Sequence, residues 1–464
     1  MTGTTVRSTN PAHPDEVVVE VPAAGTDDVA KAAQAARAAQ REWRATPPAT
    51  RAAALGAAGE AVAAAAPELT DLMVREVGKP LGEASGEAAR AAAILRYYAQ
   101  QVLDPDGETY PAPGTTLLMA RRVPRGLAGL ITPWNFPFAI PLWKAAPALA
   151  YGNAVLLKPA PEATACALRL AEILHESLPQ DLVAVVPGLA EAGQAVVAEA
   201  DLVSFTGSVG AGAAVREAAA SRGIPAQCEM GGQNPSVVLP DVDVETTAAV
   251  LAGAAMGYAG QKCTATSRVI VVDDGDGFAG RFTDALVSAV ETLGVGDPAD
   301  DGVVVGPVIT APSRDAVVAA CREAEEAGGR VLTGGVAPDR DGWFVAPSLV
   351  DGVPADARVA QEEVFGPFAA VLTARDADRA VELANGVRYG LAAAVFTRDL
   401  DVALQVADRL EAGMVRVNSP TSGVDFHAPF GGEKESSYGP REQGKAARDF
   451  YTAVRTITIA GGGS

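Results

Sequence analysis

The sequence has few of the features that mark secreted, metal-binding or nucleic-acid-binding proteins. Only four cysteines occur in 464 residues, without paired spacing: Cys166, Cys228, Cys263 and Cys321. This usage excludes a disulfide framework and a zinc-finger pattern, and it is typical of a reducing compartment. We therefore predict no metal site.

Basic clusters and long apolar runs are also missing. The chain has 37 Lys and Arg against 57 Asp and Glu, a net charge of −20, which would repel nucleic acids and anionic membranes. No apolar run reaches membrane length, and the N-terminal residues lead into a turn-like segment, 10–14, without a signal core. We expect a cytoplasmic protein whose partners are small molecules or copies of itself.

The chain of 464 residues is long enough to form two or three domains. The first part has helical periodicity. Helices are predicted from Thr26, as the N-cap, to residue 43, over 53–75, and over 81–102 before a Pro- and Gly-rich stretch, 104–114. These segments predict an all-helical N-terminal layer.

Further along the chain, short apolar strands alternate with helices. Strands are predicted at 127–131, 154–157, 183–186 and 202–205. This alternation is typical of a doubly wound parallel sheet, which binds ligands at the carboxyl ends of its strands. The alternation restarts at 236–239 and continues through 269–272 and 393–396, predicting a second α/β domain that carries Cys263. The active site would lie between the two domains.

Two β-branched or apolar segments stand apart from this alternation. They are 115–123 and 454–459, and both are typical of strands that dock on another subunit.

The most informative residues are a cysteine in a turn of small residues and a carboxylate beside a glycine pair. Cys263 lies in Gly260-Gln261-Lys262-Cys263-Thr264, and Glu229 begins Glu229-Met230-Gly231-Gly232. A thiolate attacks carbonyl carbon and can form a thioester, which is released when a base deprotonates water. The pair predicts a covalent catalyst with its own water-activating base.

Several other segments fit a site for a nucleotide and a carbonyl substrate, and each has an ordinary alternative. The segment 205–212 follows a strand and opens a helix, so it could hold a pyrophosphate or be a plain connection. Lys158 ends a strand and could bind a ribose or its 2′-phosphate, or be solvated. Asn135 could donate to an oxyanion or stabilise a turn. Glu362-Glu363 fits a helix start as well as a ribose site.

Taken in order, these segments resemble the aldehyde dehydrogenase superfamily across essentially the whole chain. The matching pieces are Glu76-Val77-Gly78-Lys79, Pro133-Trp134-Asn135-Phe136-Pro137, Lys158-Pro159, Phe205-Thr206-Gly207-Ser208, Glu229-Met230-Gly231-Gly232, Gly260-Gln261-Lys262-Cys263, Glu363-Val364-Phe365-Gly366-Pro367 and Pro429-Phe430-Gly431-Gly432.

The resemblance implies an α/β fold with three parts. A Rossmann-like dinucleotide-binding domain would cover 1–104 and 125–234, and a second α/β catalytic domain 235–428. Small β oligomerisation strands would cover 105–124 and 445–464, in a homodimer or homotetramer.

The resemblance also implies a mechanism. Cys263 would attack the aldehyde, while the Asn135 amide and the Cys263 backbone N–H hold the oxyanion. Loss of hydride to a nicotinamide leaves a thioester, and Glu229 would activate the water that hydrolyses it to a carboxylic acid. Lys144 and Glu442 match positions that support proton movement, although Glu442 could equally be a surface helix residue.

For the cofactor, NADP or NAD, the resemblance implies ribose contacts from Glu363 and Lys158 and packing of Phe365 near the nicotinamide. The remaining cleft residues would be Thr132, Trp134, Gly207, Ser208 and Gly231. Many NAD-preferring relatives have Glu three residues after the lysine, where it repels a 2′-phosphate. Here that residue is Pro161, with Glu162 next, so we expect NADP to be tolerated or even preferred.

The segments 418–427 and 436–444 resemble the branch of α-ketoglutarate semialdehyde (2,5-dioxopentanoate) dehydrogenases. Succinate semialdehyde enzymes often place Arg where this chain has Trp143 and Gly257. An acidic semialdehyde would then need other polar groups. The candidate substrate residues are Phe136, Trp143, Thr421, Ser422 and His427, the last with a packed loop histidine as its alternative.

Other aldehyde dehydrogenases, for succinate semialdehyde or neutral aldehydes, remain alternatives. So do three rival classes: a CoA-acylating semialdehyde dehydrogenase, a glutamyl-phosphate reductase, and an inactive scaffold with a structural or binding role. The first two typically lack the general base, so Glu229 argues against them, and intact Cys263 and Asn135 argue against the third.

Overall fold

The computed structural model describes residues 4–273 and 275–460. Within those residues no helix is both long and apolar enough to cross a membrane.

Helices and strands alternate along most of this length. The α-helices are α1 (Thr26–Ala45), α2 (Pro48–Ala64), α3 (Ala66–Val77), α4 (Leu81–Gln101), α5 (Ala139–Ala150), α6 (Thr164–His175), α7 (Ala190–Glu199), α8 (Val209–Ser221), α9 (Val244–Met256), α10 (Phe278–Glu291), α11 (Ala311–Glu326), α12 (Arg358–Gln361), α13 (Ala377–Asn385), α14 (Leu400–Arg409) and α15 (Ala447–Tyr451). The strands are β1 (Thr5–Thr9), β2 (Val17–Pro22), β3 (Gly107–Tyr110), β4 (Leu117–Pro124), β5 (Leu127–Thr132), β6 (Ala154–Pro159), β7 (Val183–Val185), β8 (Leu202–Thr206), β9 (Ala226–Glu229), β10 (Asn234–Val238), β11 (Thr266–Val272), β12 (Arg330–Thr333), β13 (Ser348–Asp351), β14 (Phe368–Ala374), β15 (Tyr389–Gly390), β16 (Ala392–Phe396), β17 (Met414–Val417), β18 (Glu433–Lys434), β19 (Ser437–Tyr438) and β20 (Thr452–Ile459).

The first large sheet has the order β19-β9-β8-β5-β6-β7 and is parallel except for β19. The chain runs from β5 to β6 on one side and later places β8 on the other side of β5. The order therefore reverses between β5 and β8, and a crevice opens at their carboxyl ends. The loops after these two strands carry Asn135 and Ser208, so both predicted site loops lie at the switch point.

The second large sheet has the order β12-β13-β14-β11-β10-β16-β17 and is parallel except for β12. Its central strands are buried runs of valine and alanine, which suits a sheet covered on both faces. Cys263 lies in the connection from α9 to β11. The strands predicted around 236–239, 269–272 and 393–396 are confirmed as β10, β11 and β16, while the exact domain boundaries stay predictions.

A three-stranded antiparallel sheet, β20-β4-β3, stands apart from both. Strand β20 pairs with β4 along its whole length, from Thr452 opposite Pro124 to Ile459 opposite Leu117. The predicted strands over 115–123 and 454–459 are thus confirmed and are partners of each other. Strand β3 lies in the Pro- and Gly-rich stretch and within 105–124, a range predicted to hold oligomerisation strands.

Three predictions about the N-terminal region are wrong. The helix predicted over 53–75 is two helices, α2 and α3, separated at Ala65. Pro67 lies in the first turn of α3, and a continued α2 would lose a hydrogen bond there and clash with the proline ring. The N-terminal layer is also not all helical, because β1 and β2 form an antiparallel hairpin before α1. Gly25, rather than Thr26, is the N-cap of α1.

The motif Glu76-Val77-Gly78-Lys79 links the helical layer to the first sheet. The buried Glu76 carboxylate accepts hydrogen bonds from the backbone N–H groups of Ala165 and Cys166, at 2.7 and 2.8 Å, at the start of α6. It also accepts from the Ser8 hydroxyl at 2.7 Å. A carboxylate at a helix N-terminus is favoured by the helix dipole, so Glu76 fixes where α6 begins.

Lys79 and Glu87 form a buried ion pair beneath the site loops, with side-chain exposures of 0% and 1%. The Lys79 ammonium lies 3.8 Å from the centroid of the Phe136 ring and 4.6 Å from that of Tyr258. The second Glu87 oxygen accepts from the N–H groups of residues 138 and 139, at 3.0 and 2.9 Å. The pair therefore joins α4, the start of α5 and the chain before Cys263.

Replacing Lys79 by Met should destabilise the protein by about 3–5 kcal/mol, because Glu87 would keep a buried charge without its partner. The measurement is thermal unfolding by calorimetry. The matched control is Arg330→Ala, which breaks the exposed pair with Asp351 and should leave the melting temperature unchanged. Equal melting temperatures for the wild type and Lys79→Met would contradict this role.

Candidate active site

Loops from both large sheets meet at a cavity of about 300 Å³. Its walls are mainly apolar and combine residues after β5, β8, β9 and α12 with the cysteine loop. The lining residues are Pro133, Trp134, Asn135, Ile140, Thr206, Gly207, Ser208, Met230, Gly231, Cys263, Glu363 and Phe365. The structure thus brings together most of the residues that the sequence predicted for catalysis and cofactor binding.

The chain approaches Cys263 through a turn of unusual conformation. Tyr258, Ala259 and Gly260 have φ angles of 56°, 51° and 65°, in the left-handed region that non-glycine residues rarely adopt. At Gly260 a Cβ atom would lie 2.0 Å from the carbonyl oxygen of Gly366, so only glycine fits. The turn presses the cysteine loop against the loop that carries Glu363.

Asn234, which the sequence reading missed, fixes the cysteine loop to β10. Its amide donates to the carbonyl oxygens of Cys263 and Ala265, both at 2.8 Å. Its side-chain oxygen accepts from the Ala392 N–H at 3.1 Å. A single buried amide therefore sets the position of the nucleophile relative to β10 and β16.

The environment of the Cys263 thiol disfavours its ionised form. Burial, followed by the nearby carboxylates of Glu363 and Glu229, raises the pKa of the thiol to about 12. The thiol is therefore protonated at neutral pH in this environment. A base or an added positive charge is needed to make it a nucleophile.

Asn135 is buried in the loop after β5 and faces the cysteine loop. Its side-chain amide donates to the backbone oxygen of Gln261 at 2.9 Å. Gln261 is held in turn by the Ile309 N–H, which donates to its side-chain oxygen at 2.8 Å. Asn135 thereby joins the loops of the two sheets, and its amide has a second hydrogen that could donate to a substrate oxygen.

Glu229 ends β9, is buried, and accepts a short hydrogen bond from the hydroxyl of Ser437. Burial, reinforced by the charge of Glu442, raises the pKa of this carboxyl well above its usual value. The Ser437 hydrogen bond and the charges of Lys144 and Arg441 act in the opposite direction. A carboxylate with a raised pKa is suited to take a proton from water near neutral pH.

Lys144 and Glu442 form a buried ion pair behind this carboxylate. The Lys144 ammonium also donates to the Ser204 hydroxyl at 2.7 Å. Glu442 is 2% exposed and forms an isolated antiparallel bridge with Phe430, so the surface-helix alternative is wrong. The second Glu442 oxygen has no hydrogen-bond partner among the described residues.

The crevice between β5 and β8 has the features of a nucleotide site. The hydroxyls of Thr132 and Thr206, at the ends of these strands, are buried without partners within residues 4–273 and 275–460. Ser208 caps the thirteen-residue α8 by accepting from the Ala211 N–H at 3.4 Å. Orphaned hydroxyls and a helix N-terminus at a switch point fit a dinucleotide.

Lys158 and Trp134 complete this crevice. Lys158 is 9% exposed, and no hydrogen-bond or ion-pair partner is found for its ammonium in the described chain. Its ammonium is not fully enclosed, so the solvated lysine and the ribose contact both stay predictions. Burial lowers the pKa of Lys158, while the charge of Glu162 acts to raise it. The Trp134 and Phe365 rings meet edge to face, with centroids 5.7 Å apart.

Glu363 rests on the glycine pair that follows Glu229. The Gly232 N–H donates to its carboxylate at 3.2 Å, and a Cβ atom at Gly231 would lie 2.0 Å from its other oxygen. Burial raises the pKa of Glu363 to about 8. Helix α12 ends before Glu363, so the alternative of a helix start is wrong.

The candidate substrate residues are dispersed. The Thr421 hydroxyl bonds that of Thr266 at 2.8 Å and is buried, His427 is exposed, and Ser422 is half-buried. Trp143 is buried against Phe430, with ring centroids 5.7 Å apart. Its indole N–H has no partner in the part of the chain that the structure describes.

Phe136, the remaining substrate candidate, packs edge-on to Tyr258, with ring centroids 6.5 Å apart. Residues that the sequence reading missed include Ser437 and Thr206. Both lie inside recognised segments. Thr206 directly precedes a motif glycine, which could have indicated it, whereas Ser437 meets Glu229 only through the pairing of β19 with β9.

Comparison with known proteins agrees with this architecture. The profile of the aldehyde dehydrogenase family matches residues 1–457. An α-ketoglutaric semialdehyde dehydrogenase from Bacillus subtilis is 38% identical over 466 residues, which cover 98% of this chain and 95% of the relative. An α-ketoglutarate semialdehyde dehydrogenase from Haloferax volcanii is 41% identical, with 98% and 96% covered.

Among solved structures, betaine aldehyde dehydrogenase from Staphylococcus aureus in complex with NAD+ matches with a TM-score of 0.94 at 31% identity, covering 98% of this chain and 91% of that one. The predicted fold class is confirmed. The chain therefore belongs to the aldehyde dehydrogenase family and is an NAD(P)-dependent oxidoreductase.

Proposed function

We propose that this enzyme oxidises a small acidic semialdehyde, such as α-ketoglutarate semialdehyde, to its carboxylic acid through a thioester on Cys263. The observation that carries the proposal is the convergence of Asn135 and Cys263 on one cavity, with Glu229 at the end of the strand that leads into it. Two curated relatives named for this substrate support the substrate class.

In the first half of the reaction Cys263 acts as the nucleophile. The thiol first gives its proton to a nearby carboxylate, for which Glu229 and Glu363 are the candidates. The thiolate sulfur then bonds to the carbonyl carbon as the carbon–oxygen double bond becomes single, and the resulting oxyanion accepts from the Asn135 amide and from the Cys263 backbone N–H. Asn135 suits this role because its first hydrogen is already used to hold the cysteine loop through Gln261. The donor is therefore fixed before the substrate arrives.

A bound nicotinamide nucleotide supplies the hydride acceptor. Ser208 and the start of α8 would hold its phosphates, Lys158 its adenosine ribose, and Glu363 its nicotinamide ribose. Each is either buried without a full set of partners or placed at the crevice. The Trp134 and Phe365 rings would exclude water from the reacting atoms.

In the second half of the reaction Glu229 deprotonates water, which attacks the thioester carbon, and the Cys263 sulfur leaves. The raised pKa of Glu229 means that this carboxylate binds a proton more readily than an ordinary glutamate does. A base of this kind gives the most useful proton transfer at the working pH.

Cys263→Ala should show no hydride transfer, because no adduct can form. Glu229→Gln should give at most a slow turnover or a single burst of reduced nicotinamide, because its thioester persists. Stopped-flow absorbance of the reduced nicotinamide measures both. Cys321→Ala, a buried cysteine on α11, is the control and should turn over like the wild type. Near-normal steady rates in both active-site variants would refute these roles.

The substrate class is tested with a panel of small aldehydes that differ in charge and length. We expect kcat/KM for α-ketoglutarate semialdehyde to exceed that for succinate semialdehyde and for a neutral aliphatic aldehyde by about tenfold or more, the range that a few well-placed polar contacts provide. A panel without any preference for acidic aldehydes would remove the substrate proposal and leave the catalytic roles intact.

We also propose that NADP is accepted beside NAD, because Pro161 stands where a repelling carboxylate is common. Pro161→Glu should shift the ratio of kcat/KM for NADP over NAD toward NAD by about tenfold, through repulsion of the 2′-phosphate. Glu162→Gln, which removes the existing carboxylate near Lys158, should shift the ratio the other way. An unchanged ratio in Pro161→Glu, or far better use of NAD by the wild type, would contradict this prediction.

We propose a homodimer or homotetramer assembled through the β20-β4-β3 sheet. Its exposed apolar side chains support this: Tyr110, Leu117, Val454 and Ile459 are 47%, 43%, 64% and 51% exposed. An unpaired strand edge with apolar side chains favours association with another copy.

All four cysteines are free thiols, which supports a cytoplasmic location.

A further inference from the structure

A second cavity, of about 330 Å³, shares Met230 with the first. Its walls come from α8 and from residues 434–438 of the chain. Several of these side chains, including that of Tyr438 at 43% exposure, are open to solvent. The proposed oxidation does not use this second cavity. Met230, one of its lining residues, directly follows the proposed base Glu229 in the chain.

Ser437 connects the second cavity to Glu229. Strands β19 and β9 pair antiparallel, with Ser437 directly opposite Glu229. Ser437 lines the cavity, and its hydroxyl donates a short hydrogen bond to the Glu229 carboxylate. The hydroxyl oxygen itself accepts from the Gly432 N–H at 2.6 Å. The hydroxyl is thus oriented by backbone on one side and by the base on the other.

This contact is the one hydrogen bond that Glu229 accepts through its carboxylate within residues 4–273 and 275–460. The other carboxylate oxygen packs on Gly431, where a Cβ atom would lie 2.9 Å from it. The neighbouring Ser436 hydroxyl donates to the Gly231 oxygen at 2.8 Å. Residues 436 and 437 therefore hold both the base and the chain that follows it.

We propose that Ser437 is the positioning residue of the base, and that the proton which Glu229 takes from water leaves through the Ser437 hydroxyl into the second cavity. The inference rests on the proposed hydrolytic role of Glu229. Water loses a proton to Glu229 as its oxygen bonds to the thioester carbon, and the carbon–sulfur bond breaks. The Ser437 hydroxyl then rotates, so that its own hydrogen points to a water molecule in the second cavity while its oxygen still accepts from the Gly432 N–H. Glu229 passes its proton to the free lone pair of the Ser437 oxygen as the serine's own proton goes to that water, which leaves Glu229 ionised and Ser437 neutral. No electrons are exchanged in this transfer.

Charged and titratable groups face Glu229 from several elements. They are Lys144, Cys228, Cys263, Arg441 and Glu442. Lys144 and Arg441 lower the pKa of Glu229, Glu442 raises it, and the Ser437 hydrogen bond lowers it. Removing the hydroxyl leaves the other groups unchanged, so the pKa of the base should rise.

The first test compares Ser437→Ala with Ser437→Thr in the full-length enzyme with nucleotide and aldehyde. Reduced nicotinamide is followed by stopped flow, and decay of the Cys263 acyl adduct by mass spectrometry after rapid quenching, across a pH series. In Ser437→Ala the hydride burst should be unchanged. The rate of adduct decay near neutral pH should fall about tenfold. The pH at which this rate is half-maximal should rise by about one unit, because one pKa unit is a tenfold change in the deprotonated fraction of the base. Ser437→Thr should restore both.

The second test fills the cavity without touching the base. Ala213 on α8 lines the second cavity, whereas its exposed neighbour Ala214 does not. Ala213→Phe should slow adduct decay and leave the pH midpoint in place, and the matched control Ala214→Phe should decay like the wild type.

Three results would overturn the inference. The first is a wild-type pH midpoint for adduct decay in Ser437→Ala. The second is an equal loss of burst and decay in that variant, which indicates simple structural damage. The third is equal decay in Ala213→Phe and Ala214→Phe. If the wild type forms no acyl adduct with any aldehyde, the proposed function itself fails, which is a distinct outcome.

Discussion

The Cys263 loop is held between two asparagine side chains that belong to different sheets. Asn234 binds the Cys263 carbonyl from the second sheet, and Asn135 binds the Gln261 carbonyl from the first. Because each bond joins a side chain to backbone, the spacing between the sheets is fixed at the nucleophile itself. The buried pair of Lys79 and Glu87 supports the same junction from the helical layer, since it contacts the rings on both loops and the start of α5. Together these contacts hold the loops around the cavity in one arrangement.

The electrostatics of the site follow from this close packing. Cys263, Glu229 and Glu363 all have raised pKa values, and burial is the largest cause in each case. Groups of one sign in a poorly solvated cavity favour their protonated forms. The cavity therefore suits proton uptake near neutral pH and favours a ligand that brings positive charge. Lys144 and Arg441 act in the opposite direction on Glu229 and lower the pKa of this base.

Much of the fold was predictable because its signals are local. The short buried strands of both large sheets alternate with helices, and β5, β6, β8, β10 and β11 were found from apolar runs alone. The alanine-rich region was harder, because alanine favours a helix without showing where it ends. Pro67 was the only local sign that α2 and α3 are separate. The β1–β2 hairpin was missed, although the valine-rich run of β2 is typical of a strand.

The sequence by itself determined which chemical groups are available and the order in which they occur: a cysteine in a small-residue turn, a carboxylate beside two glycines, and an asparagine after a strand. Only the tertiary structure decided which of these groups meet. Ser437 faces Glu229 because of an antiparallel register between segments 208 residues apart. Thr421 turns inward to Thr266, and so does not offer a free hydroxyl to a substrate. Strand register and contacts between loops depend on residues that are far apart in the chain, so local residue patterns do not predict them.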